Sequence, residues 1–158
     1  MRIYLRNKPK IDSEDVEIGK NVVFGRNVKI EAKRVRIGDG CVINDDVRIH
    51  GDNFEIGDYG TVYHNCFFPG GDVCIGHKFW LGTGSIIDGR AGTSIGNNVG
   101  IGAHSQLWTH MVFGDIMMGC RFHSEKKLEK EMMFGWLVII WFHQSKWKTE
   151  VWLCLALF

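Results

Sequence analysis

Two histidines, His104 and His110, stand six residues apart in the segment 95–115, IGNNVGIGAHSQLWTHMVFGD. Trp108 lies between them, and Gly114-Asp115 follow closely. An imidazole titrates near pH ~6.5, so it can take up and return a proton close to neutrality, and its neutral ring nitrogens also bind metals. The spacing leaves three readings open. The pair could be two rungs of a repeating scaffold, two metal ligands, or the working end of a catalyst. Which one holds depends on the elements that carry them.

Those elements repeat. Ile-Gly pairs fall at Ile18-Gly19, Ile37-Gly38, Ile56-Gly57, Ile75-Gly76 and Ile95-Gly96, at intervals of 19, 19, 19 and 20 residues. Within the intervals a bulky apolar residue recurs every sixth position: Ile18, Phe24 and Ile30; Ile37, Ile43 and Ile49; Ile75, Leu81 and Ile87; Ile95, Ile101 and Leu107. Four positions after many of these stands a second inward candidate: Val22, Val28, Cys41, Val47, Ser85, Ala91, Val99 and Ser105. A fixed internal period outranks any local reading. Six residues make a short strand and a turn, and three such units close a triangular coil. One coil cannot bury its own apolar positions, so coils must stack. Each buried Ile or Leu then contributes roughly 1.5–3 kcal/mol. Glycine, Asn and Asp suit corners that need positive φ, and GDG, NDD, GDN and GNN supply them. No apolar stripe of helical period crosses residues 11–109, and GTGSIIDG lacks the third spaced glycine and the following helix of a dinucleotide site.

SIGNNVGIGAHSQL, RIGDGCVINDDVRI and CIGHKFWLGTGSII resemble the hexapeptide-repeat acyltransferases over roughly residues 11–128. The resemblance implies a mainly β fold, a single-stranded left-handed parallel β-helix built of hexapeptide repeats. The handedness rests on the resemblance alone, since spacing does not fix it and the usual crossover is right-handed. It implies an O- or N-acetyltransferase moving an acyl group from acetyl-CoA to a sugar or another small acceptor, and a homotrimer with the donor in the cleft between neighbouring subunits. After Leu107 the rhythm breaks, and residues 108–127 read as a loop leaving the coil. In resembling enzymes a histidine in or beside such a loop is the general base, which places His110 first and His104 second as catalytic candidates. Asp115 is a candidate to orient the imidazole. Trp108 and Gly102 are the coenzyme-contact candidates, and Trp80 could cover the pantetheine or a sugar face. Each histidine also has a plain reading as a corner residue, and each tryptophan as packing. A non-catalytic β-helix scaffold, or an inactive remnant, is the alternative from another class.

The gamma-class carbonic anhydrases share the β-helix and hold zinc with three histidines from neighbouring subunits. That class tends to place two histidines four apart, whereas His104 and His110 are six apart, and the other histidines (His50, His64, His77, His123, His143) form no evident trio. No metal is expected.

Composition narrows the rest. The chain has 158 residues, enough for one cored domain, with 19 basic and 18 acidic side chains and a net charge of +1. That balance gives no electrostatic grip on nucleic acid or anionic membrane. Five scattered cysteines without a CxxC pair, and an N-terminus without an apolar signal core, point to a reducing cytoplasm. Residues 1–128 form the expected β-helical domain. Residues 129–158 lose the rhythm and hold Trp136, Trp141, Trp147 and Trp152 but a single glycine, Gly135. Their apolar run MMFGWLVIIWF is shorter than the ~20 residues a spanning helix needs. In the frame that starts at the last base of the Glu129 codon, the codons through Met132-Met133-Phe134-Gly135-Trp136 and just beyond permit GNDVWLVGH, a sequence like another coil. The tail is therefore expected to be out of frame, in a chain that lacks later coils of the donor cleft.

Overall fold

A computed structural model describes residues 8–113, 117, 122–125 and 127–130, which are almost entirely strand, turn and bend. Strands pair in parallel with residues one coil away. Ile30 lies beside Ile49 and Ile49 beside Phe68; Ile37 lies beside Ile56 and Ile56 beside Ile75. A representative coil runs through Lys29–Ile37, whose pairing skips Lys33, and then Val42–Ile43 before the next coil begins at Arg48–Ile56. The first strand supplies two sides of the coil and the second supplies the third. The third side stacks into a 5-stranded sheet, Val23–Phe24, Val42–Ile43, Thr61–Val62, Trp80–Leu81 and Gly100–Ile101; the other two belong to a 10-stranded sheet. The architecture is a β-solenoid of stacked parallel coils.

The period explains the core. Three apolar files run along the column, one per side. Phe24, Ile43, Val62, Leu81 and Ile101 are all buried, as are Ile30, Ile49, Phe68, Ile87 and Leu107, and Ile37, Ile56, Ile75 and Ile95. Ile18 is partly buried at the start of the last file. The smaller inward positions Val22, Val28, Cys41, Val47, Ser85, Val99 and Ser105 are buried too. Ala91 is the exception and is only half-buried, because the strand Gly89–Ile95 bulges between Gly89 and Thr93 and Thr93 takes the inward place instead.

Corners use the left-handed backbone, with positive φ at Asn21, Asn27, Asp46, Asn65 and Asn98 but also at Tyr59, Lys78 and His104. Corner side chains link coils by accepting main-chain N–H groups from the coil before: Asp58 from Asp39 at 2.7 Å, His77 Nδ1 from Asp58 at 2.9 Å, and Asn97 from His77 at 2.7 Å. GDN at 51–53 is no corner of this kind and lies inside the strand Arg48–Ile56.

Two stretches differ from the simple coil. HNCFFPGGD at 64–72 holds the strand Phe67–Phe68 and the start of Gly71–Ile75, joined by Pro69 and a positive-φ Gly70. After Gln106–Leu107 the chain leaves the column as an antiparallel pair, His110–Phe113 against Phe122–Glu125, and rejoins it at Leu128–Lys130 beside the strand Gly89–Ile95. Among the described residues no helix is long and apolar enough to cross a membrane.

Candidate functional site

His110 is the first residue of the excursion, one position beyond the last corner of the column. Its Nδ1 lies 2.7 Å from Asp88 Oδ2, across one coil. Asp88 follows the inward Ile87 and is 1% exposed, while the His110 side chain is 22% exposed. One partner is therefore locked in the column and the other keeps an open edge.

The carboxylate is thoroughly held. Asp88 Oδ2 accepts the Thr109 N–H at 2.9 Å and also the Thr109 hydroxyl. The Asp88 carbonyl accepts the buried Thr93 hydroxyl at 2.6 Å, which pins the backbone on the other side of the bulge. The Ala91 N–H, within the bulge, donates to Thr109 Oγ1 at 3.1 Å. Burial alone would raise the Asp88 carboxyl; the hydrogen bonds from Thr109 and His110 outweigh it and hold the group below the usual carboxylate value. Asp88 is thus an anion at neutral pH and can only accept. It follows that His110 Nδ1 carries the proton. In a neutral ring the other nitrogen, Nε2, is then the acceptor, available to take a proton from an incoming group.

Trp108 is partly buried beside the imidazole. Its ring meets His110 edge-on at 5.8 Å between centroids, and its indole N–H donates to Gln106 Oε1 at 3.1 Å. Gly102 is buried in the preceding corner, where its carbonyl accepts the Ser85 hydroxyl at 3.0 Å and the Ser105 hydroxyl at 2.8 Å. His104 is exposed at that corner, with φ 58°, and its ring lies over Gly84. No hydrogen bond joins it to Asp88 or His110. Asp115 lies outside the described residues. Trp80 packs edge-on against Tyr63 at 5.4 Å, on a side strand of an earlier coil. Among the described residues no three His, Cys, Asp or Glu side chains are grouped to hold a metal ion. A groove of about 470 Å³, lined by residues that include Arg26, Asn44, Asp45 and His64, lies toward the N-terminal end of the column rather than beside His110.

His110 and Trp108 are among the residues the sequence singles out; Asp88 and Thr109 are not. Asp115, downstream in the loop, is the sequence candidate to orient the imidazole, whereas the residue bonded to His110 is Asp88. One signal was present. The interval from Ile75 to Ile95 is the single one of twenty residues, and its extra length lies in the bulge that follows Asp88.

No protein-family model, no curated protein and no solved structure matches this chain.

Proposed function

We propose that the chain is an acyltransferase of the hexapeptide-repeat kind, with His110 as general base, Asp88 as its orienting anion and acetyl-CoA as donor. The observation that carries this reading is the buried Asp88 carboxylate bonded to Nδ1 of a half-buried histidine, an arrangement that leaves Nε2 as the ring nitrogen not engaged by Asp88. A carboxylate–imidazole pair of this geometry suits general base work because the anion fixes the tautomer and stabilises the imidazolium that forms. In the proposed step Nε2 takes the proton of an acceptor hydroxyl or amine while its oxygen or nitrogen bonds to the thioester carbonyl carbon. The carbon–sulfur bond then breaks, and the proton passes to the leaving thiolate. The products are an acyl ester or amide and free coenzyme thiol. Trp108, beside the imidazole, is placed to flank the reacting groups. The trimer and the sugar preference follow from the resemblance, as does His104 as a lesser contact; the cytoplasmic setting follows from the scattered cysteines without a CxxC pair.

The test is acceptor-dependent thiol release by the full chain, with acetyl-CoA and a panel of sugars, amino sugars and small amines. Release that rises with one acceptor class supports transfer. No acceptor-dependent release across the panel, in folded protein, favours the non-catalytic scaffold.

A further inference from the structure

Resting on that reading of His110, we propose that Thr109 is a positioning residue that sets which nitrogen of His110 carries the proton. Thr109 Oγ1 lies between a donor and an acceptor: the Ala91 N–H, 3.1 Å away, can only donate, and the Asp88 carboxylate can only accept. The hydroxyl proton therefore has one place to go, onto Asp88 Oδ2. The Thr109 main-chain N–H meets the same oxygen at 2.9 Å. Two donors from one residue fix Oδ2, and His110 Nδ1 meets the same oxygen at 2.7 Å.

The placement is rigid. Thr109 is 4% exposed and Asp88 1%, so water does not compete for the carboxylate. The bulge at 89–93 is needed for this, since it brings the Ala91 N–H to the hydroxyl and the Thr93 hydroxyl to the Asp88 carbonyl. Thr109 touches no reacting atom in this account and acts only through Asp88. Losing its hydroxyl takes one charge-assisted bond from Oδ2 and leaves the Thr109 N–H as the remaining donor from that residue, so the carboxylate is held less firmly against Nδ1 and the two tautomers draw closer in energy.

Two variants separate the hydroxyl from the methyl. Thr109→Val keeps the side-chain shape and loses the hydroxyl; Thr109→Ser keeps the hydroxyl and loses a methyl. The readouts are the His110 tautomer, by nitrogen-15 correlation spectroscopy of the imidazole, and kcat against KM for acetyl-CoA in thiol release. The wild type is expected to show Nδ1–H, and Thr109→Val a mixture of tautomers. Thr109→Val should lower kcat roughly tenfold or more, the range of one hydrogen bond to a charged group, with the donor KM within about twofold. Thr109→Ser should match the wild type in both readouts. An unchanged tautomer in Thr109→Val overturns the proposal even if kcat falls, because the loss is then merely structural. A shifted tautomer in Thr109→Ser overturns it too, and needs no Val variant that folds. A tautomer that shifts as expected in a protein that transfers no acyl group supports the positioning and removes the acyltransferase reading instead.

Discussion

Replacing Asp88 by Asn keeps the size of the side chain and removes its charge. Asp88 Oδ2 now takes three donors: the Thr109 N–H, the Thr109 hydroxyl and His110 Nδ1–H. An amide offers one acceptor oxygen and a donor NH₂ group, so at best the oxygen turns toward the same donors and the geometry survives without the charge. A carboxylate 2.7 Å from an imidazolium is worth about 6 kcal/mol at an effective dielectric of 20. The His110 side chain is 22% exposed, and solvent on that edge halves the figure to about 3 kcal/mol, roughly a hundredfold in kcat. Thiol release by Asp88→Asn, alongside circular dichroism to show a folded solenoid, measures it. A folded variant with kcat within about threefold of the wild type would refute the claim that Asp88 supports the base. The same variant carries a pH signature. Asp88 titrates lower in the folded chain than its ordinary value of 3.8, so its ionisation stabilises the fold. That contribution is complete above 3.8 and is lost as pH falls through the depressed folded value. The gap in Tm between wild type and Asp88→Asn should therefore close as pH drops below about 4.

Gly71 carries φ 64°, and a Cβ there would sit 1.9 Å from the Gly89 carbonyl oxygen, which is backbone next to Asp88. Gly71→Ala should cost at least about 2 kcal/mol and lower activity with it, as thermal melts and thiol release would show together. Ile49, 1% exposed in the middle of its file, should cost about 2–5 kcal/mol as Ile49→Ala, read from denaturant unfolding. Burial pushes the Cys66 thiol up to about 11, while Cys74 is exposed at the surface. Alkylation at pH 8 followed by peptide mapping should label Cys74 in the native protein, and Cys66 and Cys41 only after unfolding.

The column was legible because its physics is periodic. A residue such as Ile43 is inward for the same reason as Phe24 and Val62, and an interval of 19 residues states that reason in the sequence. The corners were less so. Asn21 and Asn98 announce positive φ, but Tyr59, Lys78 and His104 adopt it too, at about 1–2 kcal/mol each, because the stacked coils on either side dictate the backbone. The site was half legible. His110 stands where the rhythm fails, and a failing rhythm can be seen. Asp88 sits inside the rhythm, and its burial comes from a bulge and from Thr109 one coil away, contacts that no local pattern encodes. At the C-terminal end, the register places Lys130 beside Ile95, so a lysine follows in the line of Ile18, Ile37, Ile56, Ile75 and Ile95. The expected out-of-frame tail begins there, and residues 131–158 lie outside the described ones.

The most direct test of the proposed chemistry compares His110→Ala with His104→Ala in acyl transfer from acetyl-CoA under single-turnover conditions. His110→Ala removes the one imidazole that Asp88 holds, while His104→Ala alters an exposed corner. Transfer should fall at least about a hundredfold in His110→Ala and stay within about threefold in His104→Ala. Transfer that persists in His110→Ala, or is lost in His104→Ala alone, would contradict His110 as the base.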